Sequence, residues 1–340
     1  MLRFGRTRED LMTTSSYSCP FTKAALQESK EGLIREEGVI FPYVRHGMPD
    51  APPIPNFLAL QKTGDGANAS LEMYENDTSG IVYRNFLTWL FETFNTDDAT
   101  VRRDMLSRLR LKPGDKVLVT GCGLGDDLPY ILEIIGPTGL LFAQDLSSAM
   151  IVGAQKELTV QVGAVSNLFF SVGDAQDLPF ADNFFDAAFH FGGINLFDNL
   201  KNAIAEMERV VRPGGRVLFG DEGIAPWLKA TEYGKVAICN NPLWQSEAPI
   251  ALLPPCCLDV NLTWILGNCF YLIDFVVSDV GPNINMDVVH KGRRGGSMRT
   301  RYFGQLEGVD PDTRDKVMQA AAAAKISVKD WLEQAISKAL

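Results

Sequence analysis

Histidine is the scarcest functional residue in this sequence, with three among 340 positions. The six cysteines, Cys19, Cys122, Cys239, Cys256, Cys257 and Cys269, include no CxxC pair. That spacing excludes the usual zinc modules, so no metal is expected. A chain of this length also has no need of a disulfide framework, and reduced thiols in a cytoplasmic compartment are the expectation. Basic residues are outnumbered, 32 Lys and Arg against 42 Asp and Glu, which leaves a net charge of -10. Such a balance excludes a surface given over wholly to nucleic acid, because phosphate binding needs clustered cations. Also missing are a run of about 18 apolar residues able to cross a bilayer and an N-terminal stretch joining basic residues to a long apolar one. A soluble chain with no membrane insertion follows as an expectation.

What the sequence does contain is core-forming material: 46% hydrophobic and 22% charged residues. This suffices for one large domain with one or two small appendages. Residues 1–18, rich in Arg, Thr and Ser, read as a flexible tail. Residues 19–57 carry short apolar runs broken by Gly and Pro, which predict a small β-rich domain. Its opening, Cys19 and Pro20, and its close, Phe41, Pro42, Gly47, Met48 and Pro49, resemble the Trm112-like domain. Metal-binding members of that family use paired cysteines, and here only Cys19 stands in the segment. The resemblance therefore implies the scaffold without its zinc. "DAPPIPNF" reads as a Pro-rich linker.

Residues 58–110 read as a helical lid and linker. "SGIVYRNFLTWLFETF" sets Tyr83, Phe86, Leu90 and Phe94 at helical spacing, and Asp97 and Asp98 offer a start for the next helix. From 111 to 290 near-continuous apolar strands alternate with helices, the pattern of a mostly parallel sheet covered on both faces. Such sheets bind ligands at the carboxyl ends of their strands, where the topology reverses.

The first of these strands runs into "VLVTGCGLGDDLPYILE", residues 117–133. Gly121, Gly123 and Gly125 allow backbone to approach a ligand closely. GxGxG alone is a weak signal shared by many dinucleotide-binding folds. Further on, the second strand ends at Asp145, the third in "GDAQDLPFADNFFD" beginning at Gly173, and the fifth follows "AIAEMERVVRPGG". In this order the four pieces resemble class I S-adenosylmethionine-dependent methyltransferases, within the branch of ubiquinone/menaquinone C-methyltransferases.

The resemblance implies a Rossmann-like three-layer α/β/α sandwich with a mostly parallel seven-stranded sheet. It further implies S-adenosyl-L-methionine as cofactor and a small-molecule methyl acceptor. Gly121, Cys122, Gly123 and Gly125 would face the methionine part, Asp145 with Leu146 the ribose, and Asp174 with Ala175 the adenine. Where relatives carry an acid two residues before the first glycine, this chain has Val119 followed by Thr120. An ammonium contact would then come from a backbone carbonyl or from Asp126 and Asp127.

His190, at the end of the fourth strand, is the candidate base and also borders the cofactor. Tyr74, Tyr83, Phe191, Asn195 and Glu222 are candidate acceptor contacts. Plainer readings stand beside these: Asp145 and Asp174 as caps, His190 as a hydrogen-bonded core residue, Cys122 as packing.

Residues 291–340 lie outside that pattern. Lys291, Arg293, Arg294, Arg299 and Arg301 lead into two helical stretches, the second with Ser327 as N-cap. A strand-helix-helix appendage is expected, resembling a ribbon-helix-helix module that dimerises through a shared ribbon and can enter the DNA major groove. Arg299, Arg301 and Gln305 would alternate on one strand face. The plainer alternative is a homodimer-forming tail. A cofactor-sensing DNA-binding regulator is therefore the second functional reading, and a nicotinamide oxidoreductase a third that the GDA-x-x-LPF segment argues against.

Overall fold

The computed structural model describes residues 16–44, 52–60, 63–75, 78–163, 165–291, 296–303 and 309–340. Most of the expected tail, the close at Gly47, Met48 and Pro49, and Arg293, Arg294 and Gln305 lie outside the described residues. The chain divides into two units, Met1–Gly281 and Pro282–Leu340.

In the first unit seven strands form one sheet: β4 (Lys116–Thr120), β5 (Leu140–Asp145), β6 (Leu168–Val172), β7 (Phe185–Phe191), β8 (Val211–Glu222), β9 (Leu258–Ile265) and β10 (Phe270–Val276). Their order is β6-β5-β4-β7-β8-β10-β9. The first five run parallel, and β10 is antiparallel to both its neighbours. Alternate residues feed two cores. Leu118, Phe142, Phe169, Ala188 and Val217 belong to one, while Val117, Val119, Ala143, Phe189 and Leu218 belong to the other. Burial on both faces explains why the strands lack the polar alternation of a half-exposed sheet.

Helices α3 (Asp98–Ser107), α4 (Leu128–Ile135) and α5 (Ser148–Val162) cover the second face through Met105, Leu106, Ile131, Ile135, Ile151 and Leu158. On the first face lies α6 (Leu200–Val210), with Ile204, Met207 and Val210. This is the expected three-layer sandwich. Polar side chains close the helix starts: Asp97 accepts from Thr100 N–H, Ser147 from Met150 N–H and Asn199 from Asn202 N–H. The "RPGG" turn survives as a bulge inside β8, where the register with β7 shifts between Phe185 and Ala187.

A small antiparallel sheet precedes all this: β1 (Gln27–Glu28), β2 (Gly32–Ile34) and β3 (Ile40–Pro42). It shares the first core, since Tyr17, Leu26, Leu33 and Phe41 cluster with Phe57, Phe142 and Phe180. The expected linker is more than a tether. Phe57 N–H donates to Val172 O at 2.8 Å, and Val172 N–H donates to Pro55 O at 2.9 Å, so the segment adds to the edge of β6. An edge accepts prolines because only one side of the strand needs donors.

Two helices follow, α1 (Asp65–Tyr74) and α2 (Ser79–Thr93), and a third, α7 (Glu232–Asn240), lies between β8 and β9. The second unit contains α8 (Met298–Phe303), α9 (Pro311–Ala323) and α10 (Val328–Ala339), the last capped by Ser327 as expected. The expected strand bearing Arg299 and Arg301 is helical instead. Thr300 N–H donates to Ser297 Oγ at 3.2 Å while Ser297 N–H donates to Thr300 Oγ1 at 2.8 Å, a reciprocal cap that starts a helix. Arg299 is held by Asp287 at 2.7 Å.

Candidate functional site

From β4 the chain passes outward to β5 and β6 and then returns to β7 on the other flank of β4. The crevice at this reversal lies at the carboxyl ends of β4 and β7. Gly121, Gly123 and Gly125 fill the turn out of β4 with φ of +59°, +52° and +82°. These are left-handed values that favour glycine. At Gly121 a Cβ would also stand 2.7 Å from His190 Cε1. Cys122 is buried and burial pushes its thiol well up, which makes it packing rather than nucleophile.

Asp145 organises the loop. Its Oδ2 accepts from Gly123 N–H at 2.8 Å and its Oδ1 from Ser147 N–H at 2.9 Å. Burial raises its carboxyl above the usual range, opposed by these bonds. Leu146, half-buried, follows it. At the next strand end Asp174 Oδ1 accepts from Gln176 N–H at 2.8 Å, closing a turn, with Ala175 buried beside it.

Beneath the strand ends the parallel register sets Ser171, Gln144, Thr120 and His190 side by side, all buried. His190 Nδ1 lies 3.0 Å from Thr120 Oγ1, and burial drives its pKa down to about 4. His190 Nε2 and both amide atoms of Gln144 have no well-aligned partner among the described residues. Phe191, next along β7, rests against Phe270 at 5.9 Å.

Across the crevice, Asp221 is buried at the end of β8 and accepts from Asn195 N–H and Glu222 N–H, each at 2.7 Å. Burial raises it to about 6 despite those bonds. Glu222 is raised to about 7 by burial and by Asp221, and its Oε1 accepts from Asn241 Nδ2 at 2.8 Å. Asn195 Nδ2 donates to Glu222 O at 2.7 Å while its Oδ1 accepts from Tyr271 Oη at 3.0 Å.

Helix α1 straps this end. Gly66 and Ala67 N–H groups donate to Asp198 at 2.7 and 3.2 Å. At the far end Glu75 accepts from Ser147 Oγ at 2.6 Å, from Ser148 Oγ and from Ala149 N–H. Tyr74 is raised by burial and then by Asp145, Glu222 and Asp221, so its phenol shares their environment. Tyr83 on α2 covers Gly123, its Cζ 4.0 Å from where a Cβ would be. Burial and Asp126 raise it.

The expected residues thus fall into two groups, Asp145, Tyr74, Asn195 and Glu222 around the crevice, and Tyr83 over the loop. Asp126 and Asp127 are committed elsewhere. Arg102, 4% exposed, reaches Asp98 at 2.7 Å, Asp127 at 2.8 Å and Asp126 at 3.5 Å, and Arg84 also pairs with Asp126 and Glu157. A cleft of about 320 Å³ beside the loop is lined by Arg84, Leu124, Asp126, Tyr130 and Glu157. Sequence reasoning passed over Glu75, Arg102, Gln144, Asp198 and Asn241. Their roles depend mostly on partners distant in the chain, as with Glu75 and Ser147 or Asp198 and Gly66, so no local signal marks them. Among the described residues no group of three or more His, Cys, Asp or Glu could hold a metal ion.

The glycine-rich loop, the acid bound to its backbone and the unpaired polar atoms beneath it fit a polar nucleoside-like ligand. Residues 118–219 match the family model described as "Methyltransferase domain". Over 146 residues the chain is 32% identical to demethylmenaquinone methyltransferase of Geobacillus sp. (strain WCH70), covering 43% of this chain and 56% of that protein. Over 118 residues it is 35% identical to the ubiquinone/menaquinone biosynthesis C-methyltransferase of Francisella philomiragia subsp. philomiragia, covering 34% and 46%. The chain therefore spans about half the length of these curated relatives. Among solved structures, phosphoethanolamine N-methyltransferase 2 of Haemonchus contortus, in complex with S-adenosyl-L-methionine, superposes with a TM-score of 0.50 at 14% identity. The match covers 67% of this chain and 62% of that one. At that identity the likeness shows the fold.

Proposed function

We propose that this chain is an S-adenosylmethionine-dependent methyltransferase acting on a small-molecule acceptor. The observation that carries the reading is the glycine turn at the switch point, with Gly123 N–H bound to the Asp145 carboxylate. It lies within the segment that matches the methyltransferase domain. When bound, the cofactor supplies a methyl group on a sulfonium, open to in-line attack by the acceptor.

The chain's own part is mostly positioning. Residues 121–125 present backbone at close range with Cys122 packed behind. Asp145, whose oxygens retain further lone pairs, accepts from ribose hydroxyls beside Leu146, and Asp174 and Ala175 meet the adenine. Tyr83 shields the loop from water. His190 supports Gly121 from below, and its buried ring, fixed to Thr120, suits it to holding the loop. Tyr74, Phe191, Asn195 and Glu222 border the acceptor.

Calorimetric titration tests this. Full-length protein should bind S-adenosylhomocysteine at one saturable site and show no binding to NAD. Asp145→Ala should weaken the former at least about tenfold, the scale of a lost hydrogen bond to a charged group. Equal affinity in the variant would remove the ribose assignment. Binding to NAD alone would replace the cofactor.

A further inference from the structure

Resting on the methyltransferase reading, we propose that Glu222 takes the proton released by the acceptor, and that the acceptor is an uncharged, proton-bearing molecule rather than an anion. Two adjacent acids end β8, and their surroundings divide the work between them. Asp221 is spent on backbone, holding the 193–195 turn and Glu222 N–H with both oxygens. Glu222 is half-buried, and its hydrogen bond to Asn241 engages only Oε1. Above the neighbouring turn Gly192 and Gly193 have left-handed φ of +86° and +83°, and a Cβ on either would meet nothing within 4 Å. Glu222 itself is half-buried at the carboxyl end of β8, so part of its side chain stays exposed to an incoming molecule.

His190, the base expected from the sequence, has no such access. It lies 1% exposed beneath Gly121 with Nδ1 turned to Thr120.

Several elements face Glu222. Asp221 belongs to its own strand and Tyr74 comes from α1. Asn195 reaches its backbone from the turn after β7, and Asn241 and Trp244 come from the segment after α7. Tyr271 of β10 closes the web through Asn195. No Lys or Arg is among these groups. The nearby guanidinium groups of Arg84 and Arg102 are paired with Asp98, Asp126, Asp127 and Glu157. An anionic acceptor would meet Asp145, Asp221 and Glu222 with no Lys or Arg among the described residues facing them, leaving only the cofactor's own sulfonium to offset that repulsion, whereas a neutral acceptor meets no such repulsion. The raised affinity of Glu222 for protons, about 7, suits exchange near neutrality.

The step balances. The acceptor's X–H bond breaks with its proton passing to Glu222, and the freed pair on X bonds to the methyl carbon. The sulfur–methyl bond breaks with its electrons left on sulfur, so a sulfonium and a carboxylate become a thioether and a carboxylic acid. Water then removes the proton.

The test uses full-length protein with S-adenosylhomocysteine or S-adenosylmethionine. Carbon NMR of glutamate-labelled protein, assigned with Glu222→Gln, should show a carboxyl titrating near 7. A midpoint below about 5, the ordinary range, overturns the proposal. Glu222→Gln should bind S-adenosylhomocysteine within about twofold of wild type. It should transfer methyl to catechol at least about 100-fold more slowly and lose the acid limb of the pH profile, on the scale of a lost general base. Glu222→Asp should regain part of the rate. The anionic counterpart 3,4-dihydroxybenzoate should be the poorer acceptor. Transfer to it at an equal or higher rate, or to neither compound, overturns the assigned acceptor class. If wild type fails to bind S-adenosylhomocysteine, the methyltransferase reading falls, whatever the Glu222 titration shows.

Discussion

Asp221 and Glu222 show how much a single residue's setting decides. They are consecutive acids, yet one is consumed by backbone donors and the other is held only by side chains, Asn241 on Oε1 and Trp244. Both hold their protons more tightly than in an unfolded chain, Asp221 at about 6 against 3.8 and Glu222 at about 7 against 4.5. The folded state then binds more protons than the unfolded state between about pH 4 and 7. Their contribution is present in full below that window and is lost as pH rises through it. His190 works in the opposite sense: depressed to about 4 from 6.5, it lowers stability as pH falls through that range. The prediction is therefore a difference. The melting temperature of Glu222→Gln relative to wild type should rise between pH 5 and 8, measured by calorimetry. A difference that is flat with pH would mean that Glu222 titrates normally.

Among elements, the parallel strands were legible because burial on both faces leaves apolar runs that no other arrangement explains. Helix α1 was legible only as part of a lid. Gly64, Gly66 and Asn68 are poor helix formers, and of its ten residues only Ala67 is buried. Tertiary partners hold it instead, Asp198 at its first turn and Glu75 against the start of α5. Asp198→Ala with Glu75→Ala should raise hydrogen exchange in residues 65–74 at least about tenfold while leaving the strands protected, since each lost cap is worth about 1 kcal/mol. Unchanged exchange there would mean that other contacts fix the strap. The misread strand at Arg299 and Arg301 has a related cause. Alternating polar side chains suit a strand only if a partner strand pairs with it, and the Ser297–Thr300 cap gives the same residues a local solution as a helix.

At the scale of the whole molecule, the central fold and the loop were visible in the sequence because glycines, strand-end acids and the RPGG bulge are local and ordered along the chain. The acceptor side was less visible. Glu222, Asn241, Tyr271 and Tyr74 come from four elements, and only the folded sheet brings Asp221 under Asn195. The small N-terminal sheet was legible as strands, but its place in the main core rests on Tyr17, Phe41 and Phe57 meeting Phe142 and Phe180, which spacing cannot encode. The central claim is that the switch-point crevice, and not the cleft beside Arg84 and Tyr130, receives the nucleoside. Hydrogen exchange of full-length protein with and without saturating S-adenosylhomocysteine tests this most directly. The account predicts protection concentrated at residues 121–125, 145–147 and 173–175. Protection confined to the cleft-lining segments outside the loop, residues 84, 98, 126–130 and 157–161, with none at 145–147 and 173–175, would contradict it.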